Sequence, residues 1–195
     1  MSDGMLDREQ MDRAIRTVLK ATREDLDITQ KEFARRLGWT QSQFGDLEAG
    51  RRVIRAADLF LIAQALDVVP NAWIRRIERW VAQPLDATAH LSAMQTSSPN
   101  QADSFLQLPS VAEPVTKSAV TERERLERTI RIVLCASRMH SEVSPGKLAE
   151  TLGWTRAQVS SLETGRRRAM LTDFLMIAKA LNIDPIALLQ RVLRW

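Results

Sequence analysis

Few side chains in this sequence could carry covalent or metal chemistry. There is one cysteine, Cys135, and there are two histidines, His90 and His140, too far apart in type and spacing to form a ligand set or a triad. A single Cys makes neither an internal disulfide nor the thiolate half of a zinc-finger site, which removes secreted disulfide scaffolds and Cys-rich zinc modules. No nucleophile–base pair, metal-ligand cluster or phosphate-cradling glycine loop accompanies these residues, so the residues point away from an enzyme and no cofactor is expected. Cys135 reads as inert packing on a helix face. What remains is arginine: Arg166, Arg167 and Arg168 in one run, and Arg51, Arg52 and Arg55 in another.

The 195 residues include 28 Lys+Arg against 24 Asp+Glu, a net charge of +4, with 45% apolar side chains. That composition describes a folded chain of one ordinary domain or two small ones. A charge of +4 is too mild to establish a nucleic-acid partner by itself. No stretch approaches about 18 uninterrupted apolar residues, and the first seven residues are acidic where a signal peptide would be basic and then apolar. A reducing, cytoplasmic location and no membrane partner are therefore expected.

The positioning elements come from a duplication. Leu37-Gly38-Trp39-Thr40 recurs as Leu152-Gly153-Trp154-Thr155, 115 residues on, and sliding 13–80 onto 128–195 without a gap pairs 28 identical positions out of 68. A period of 115 with two copies is a duplicated domain, not a solenoid. The boundaries read as 1–80 and 121–195 around a linker, 81–120. The linker holds four of the seven prolines and one basic residue, Lys117. Such a segment reads as a flexible tether, with an r.m.s. span of roughly 35 Å for about 40 residues. A short helix around 91–95 and an apolar patch of Phe105, Leu106 and Leu108 are its only structured candidates. The three segments carry +1, −2 and +5, so the second copy is the positive one.

Each copy reads as five short helices, and strand signals are missing throughout. Met11, Ile15, Val18 and Leu19 share a face of a first helix over 7–26. Asp7 with Gln10, and Thr121 with Glu124, suit its start. Thr29 with Glu32 and Thr40 with Gln43 have capping-box spacing, and Ile28 with Phe33 and Trp39 with Phe44 have staple spacing. Gly38 permits the sharp turn between the two short helices. The second copy repeats this with Ser144-Pro145, Val143/Leu148, Trp154/Val159 and Thr155 with Gln158. A fourth helix over 56–66 or 171–181 turns Leu59, Ile62, Ala63 and Leu66 inward. Pro70 or Pro185 opens a fifth, ending at Trp80 or Trp195.

Two short helices joined by a Gly-containing turn inside five helices make a helix-turn-helix, so the fold class expected is all-α, two five-helix, lambda-repressor-like domains joined by a flexible linker. The Ala-x-x-Leu-Gly turn followed by Leu-Glu-x-Gly-x-Arg, present in both copies, resembles the phage-repressor (XRE/Cro-type) DNA-binding family over almost the whole of each repeat. The resemblance implies double-stranded DNA as partner, with the second short helix in the major groove. By family correspondence Gln41, Ser42 and Asp46 face the bases in the first copy, and Arg156, Ala157 and Ser161 in the second. Gln pairs adenine, Arg pairs guanine, and an Ala methyl packs on the thymine methyl, so the two copies should read unlike half-sites. Asp46 repels phosphate unless it accepts from cytosine or from a neighbouring Arg, and Gly45 lowers helix propensity. A first copy that has lost base reading and kept a partner role is the competing reading.

Phosphate contacts are expected from Gln30 and Lys31, from Lys147, where Pro145 replaces the expected Gln, and from Arg51, Arg52, Arg55, Arg166, Arg167 and Arg168. Gln43 and Gln158 belong to this set too, although capping suits them better. Arg52 and Arg167 sit four residues after Glu48 and Glu163, a spacing that suits an ion pair equally. Trp39 and Trp154 suit the staple better than base stacking.

Helix five of the second copy, with Leu188, Leu189, Val192, Leu193 and Trp195, is more apolar than one face of a small domain needs. Related repressors often pair through this region, which implies a homodimer carrying four motifs; the alternative is that the helix simply closes the core or packs against the other repeat, making the chain an intramolecular pseudo-dimer. A transcription regulator would also contact the transcription machinery. The favoured function is a sequence-specific transcriptional regulator reading two half-sites. Its rival is an antitoxin or anti-activator that keeps the fold and acts by binding a protein.

Overall fold

In the computed structural model the described residues are 8–82 and 117–194, with backbone alone for 117–121. Asp7, His90, the possible helix at 91–95, the Phe105–Leu108 patch and Trp195 lie outside them. The first copy contains α1 (Arg8–Asp25), α2 (Gln30–Arg36), α3 (Gln41–Glu48), α4 (Ala56–Ala65) and α5 (Pro70–Ala82). The second contains α6 (Lys117–His140), α7 (Pro145–Leu152), α8 (Arg156–Glu163), α9 (Leu171–Ala180) and α10 (Pro185–Leu193). All regular structure among the described residues is helical, as the patterning requires. Two boundaries differ from the sequence reading: α5 runs on to Ala82, and α6 begins at Lys117, which puts Thr121 inside a helix instead of at its cap.

The short helices start where their caps dictate. The Thr40 hydroxyl accepts from the Gln43 N–H at 3.2 Å while the Gln43 side chain accepts from the Thr40 N–H at 3.0 Å, and Thr155 with Gln158 does the same. Thr29 forms only half of its box. Its hydroxyl accepts from the Glu32 N–H, but the Glu32 carboxylate turns to Arg35 and Arg36, two guanidinium groups that hold its pKa down at about 2.

Gly38 and Gly153 take φ of 64° and 65° at the turn within each motif. Four non-glycine residues also adopt left-handed backbone after a helix, in symmetry-related pairs: Asp27 with Glu142, and Asp67 with Asn182. At φ 55° the exposed Glu142 bears a Cβ penalty that glycine avoids, so Glu142→Gly is expected to raise stability by about 1 kcal/mol, read from the urea midpoint.

Within the first copy, α1 packs on α5, with Ile15, Val18 and Leu19 of the one and Ile74 and Ile77 of the other buried, and Phe33 of α2 stacks edge-on against Phe44 of α3 at 4.6 Å. Ile130, Val133, Leu134, Leu148, Val159, Phe174 and Leu188 fill the corresponding places in the second. The two cores are continuous with each other and form one buried cluster.

That continuity has a clear geometry. α4 packs on α6 and α9, α1 on α9, and α5 on α10. At the centre, Arg55 faces Met170 in an antiparallel bridge, the Ala56 N–H donating to the Ala169 carbonyl and the Leu171 N–H to the Ile54 carbonyl, each at 2.9 Å. Residues 54, 55 and 56 become 169, 170 and 171 on adding 115, so the bridge sets Arg55 against its own repeat equivalent, and its two backbone bonds, 56 to 169 and 171 to 54, are equivalents of each other. The side chains around it obey the same rule. Arg8 reaches Asp173 at 2.8 Å, and its equivalent Arg123 reaches Asp58 at 3.0 Å. Two contacts depart from it: Thr172 donates to Asp12 and Arg55 pairs with Glu127, where the equivalents Ala57 and Met170 offer neither a hydroxyl nor a charge. The copies are therefore related by a local twofold axis through the bridge, a self-complementary interface of the kind that pairs separate subunits.

Helix five contributes to this contact without dominating it. Leu188, Leu189 and Val192 are wholly buried inside the chain, which takes them out of reach of a second chain; Leu193 is exposed. Of the two arrangements expected for this region, the intramolecular pairing is the one seen, and it runs chiefly through α4, α9 and the helix-one arginines.

Across the α5–α10 contact, burial and the nearby Asp184 carboxylate raise the Glu78 pKa above its ordinary 4.5. An acid shifted upward is favourable protonated, so its contribution is present below pH 4.5 and lost as pH rises through the raised value. Glu78→Gln should remove that loss, leaving the thermal midpoint less dependent on pH above 4.5 than in the parent chain.

Candidate nucleic-acid interface

Each recognition helix is held by one buttress. The Arg23 guanidinium on α1 donates to the Glu48 carboxylate at the end of α3, at 2.8 Å, and to the Ile28 carbonyl just before α2, at 2.9 Å. Arg138 repeats both contacts with Glu163, at 2.6 Å, and with the Val143 carbonyl, at 2.8 Å. The Glu163 contact raises the Arg138 pKa above its ordinary value. One cation thus joins the first residues of the motif to its last, which fixes the angle between its helices. Arg16 and Arg131 support the far end by lying over Gly50 and Gly165, where the left-handed backbone disfavours any side chain and a Cβ would push the guanidinium aside.

With the helices fixed, the residues assigned to base reading fall on their outward sides. Gln41, Ser42, Arg156 and Ala157 are exposed; Asp46 and Ser161 are half-buried one turn on. Arg156 has no hydrogen bond or ion pair to another described residue, so its fork is available to a guanine edge. Asp46 accepts from Arg51 at 2.8 Å. That pairing offsets its repulsion of phosphate and at the same time commits Arg51.

The residues assigned to phosphate divide into open and occupied. Lys31 and Arg166 are exposed, and Lys147 is exposed beside Glu150 at 3.0 Å. Gln30 instead turns its amide to Glu48 at 2.5 Å. The side-chain oxygens of Gln43 and Gln158 are engaged in the caps. Neither Arg52 nor Arg167 pairs with the glutamate four residues before it. Arg52 lies over the Trp39 ring at 4.8 Å, and Arg167 lies over Trp154 at 4.8 Å while donating to Asp173 at 2.7 Å. The helix ends at Glu48 or Glu163 and a left-handed glycine follows, so the spacing that places residues four apart on one face does not apply. Arg55 and Arg168 share Glu127, each at 3.3 Å, at the rim of the contact between the copies.

Arg123 links that contact to the site. Besides pairing with Asp58 it lies over the Trp39 ring, the residue immediately before the α3 cap, at 5.7 Å. Sequence reasoning did not single out Arg23, Arg138, Arg8 or Arg123. The first two were traceable, because they and their partners Glu48 and Glu163 are identical in both copies.

A sequence model of the helix-turn-helix family matches the chain twice, over residues 19–73 and 138–188, together more than half of its length. The chain belongs to that family, as two tandem copies of the XRE type, a class of DNA-binding regulators. Comparison with curated proteins and with solved structures gave no match. Among the described residues no single helix is long and apolar enough to cross a membrane.

Proposed function

We propose that the chain is a sequence-specific transcriptional regulator whose α3 and α8 each occupy the major groove of one half-site, the two half-sites being unlike. The observation that carries this reading is that both motifs are complete, capped and buttressed, while their outward residues differ at every base-reading position. Gln41, Ser42 and Asp46 suit an adenine-containing half-site with a cytosine where Asp46 can accept. Arg156, Ala157 and Ser161 suit guanine and thymine. Lys31 and Arg166 provide the open cations for phosphate, and the exposed Lys147 and Arg168 join them by exchanging Glu150 and Glu127 for a phosphate oxygen. The competing reading, a protein-binding antitoxin or anti-activator, has no comparable support, because neither set of outward residues is apolar.

The test is binding to a long mixed-sequence duplex at increasing salt. A DNA-binding chain loses affinity linearly in the logarithm of salt concentration, with a slope set by its phosphate contacts. Binding that is absent at low salt, or independent of salt, removes this reading.

A further inference from the structure

We infer that one chain is the complete operator-reading unit, that its two half-sites are inverted, and that it lies on DNA in a single polarity. The inference rests on the proposed function and adds three things to it: the orientation of the half-sites, the number of chains and the direction of binding.

The local twofold fixes orientation. Arg55 and Met170 sit on the axis, and the two backbone bonds of the bridge and the Arg8–Asp173 and Arg123–Asp58 pairs are exchanged when the copies are exchanged, so α3 and α8 are related by a half-turn. DNA has its own local dyad, and a protein that exchanges its reading helices by a half-turn meets half-sites that run in opposite directions. Spacing is compatible: from Glu48 to Arg55 is seven residues, so the end of each recognition helix lies within about 25 Å of the axis. Two such distances accommodate half-site centres roughly 34 Å apart.

The number of chains follows from burial. In a regulator with one motif, a second chain must supply the second half-site. Here the second copy already occupies the self-complementary surface: α9 is buried at every position from Leu171 to Ala178, and Asp58 and Asp173 are sealed by arginines of the opposite copy. Among the described residues no equivalent surface is left for another chain to use in the same way.

Polarity follows from the unlike reading residues. A homodimer on an inverted repeat is unchanged by a half-turn. This chain is not, because turning it would set Arg156 and Ala157 against bases suited to Gln41 and Ser42, and each wrong base pair lowers affinity by roughly 5- to 150-fold.

The experiment uses the full chain with Cys135→Ser and one new cysteine, either Thr164→Cys at the end of α8 or Ala49→Cys at the end of α3. Each carries an iron chelate that cuts nearby DNA. The probe is the duplex recovered from a random pool by the parent chain, with the mass of the complex measured alongside. The expected result is one chain per duplex, with cuts from position 164 on one flank of the site, cuts from position 49 on the other, and a preference of more than about tenfold in each case. Equal cutting of both flanks from one position, two chains per duplex, or a recovered site of directly repeated halves overturns the inference while leaving DNA reading intact. Recovery of no duplex overturns the proposed function beneath it.

Discussion

Asp173→Ala is expected to destabilise the chain by about 3 kcal/mol, because it leaves two guanidinium groups and a backbone N–H partly buried without their common acceptor. The carboxylate is fully buried and accepts from Arg8 at 2.8 Å, from Arg167 at 2.7 Å and from the Met170 N–H at 3.0 Å. Arg8 and Arg167 keep some contact with water, which holds the effect to the lower end of the range for buried pairs. Asp58→Ala should cost less. Its Oδ1 lies 3.0 Å from Arg123 without hydrogen-bond alignment, so Oδ1 and the Arg123 Nε have no hydrogen-bond partner among the described residues. Urea unfolding of the two variants decides this; an Asp173→Ala loss below about 1 kcal/mol would mean that the carboxylate does not hold the copies together.

Arg156→Ala should cost about 1–3 kcal/mol of discrimination at one base pair of the second half-site and leave the rest of the preference unchanged. Arg166→Ala should weaken all sequences alike and reduce the salt slope by about 1. The contrast follows from position: Arg156 is the first residue of α8, whereas Arg166 stands in the loop after it. Competition among duplexes that differ at single positions, repeated at several salt concentrations, separates the two. Equal, sequence-independent losses from both substitutions would remove Arg156 from base reading.

Most of each domain was legible in the sequence because its signals are local. The staples, the turn glycines and all but one of the capping pairs at the motif helices act over three to five residues, and the structure places them as read. Thr29 with Glu32 failed as a full box because Arg35 and Arg36 compete for the carboxylate with two charges against one backbone N–H. The Lys117 start of α6 was hidden by composition, since its first turns share the polar character of the segment before them. Pairing of the copies was one of the arrangements expected, but the residues that make the contact were the largest feature left unread. Its polar partners are up to 165 residues apart, and its apolar half is spread along α4 and α9. A signal was present: after Thr172 and Asp173 the run Phe174-Leu-Met-Ile-Ala178 is apolar around more than a full turn, and such a run must be covered on all sides. Helix five drew attention instead because Leu188, Leu189 and Val192 exceed one stripe, yet these residues close the core of their own copy.

The reading residues were placed by family correspondence and stand outward, but the loop arginines needed the structure. The sequence shows their charge; which of them is tied to Asp46, Trp39, Glu127 or Asp173 depends on where the chain returns after Gly50 and Gly165.

Selection of bound sequences from a random duplex pool by the full chain tests the central claim most directly. The expected result is a bipartite site with halves about one helical turn apart, one containing guanine at the Arg156 position and the other of different sequence. Enrichment of a single half, of two identical halves, or of no sequence at all would contradict it.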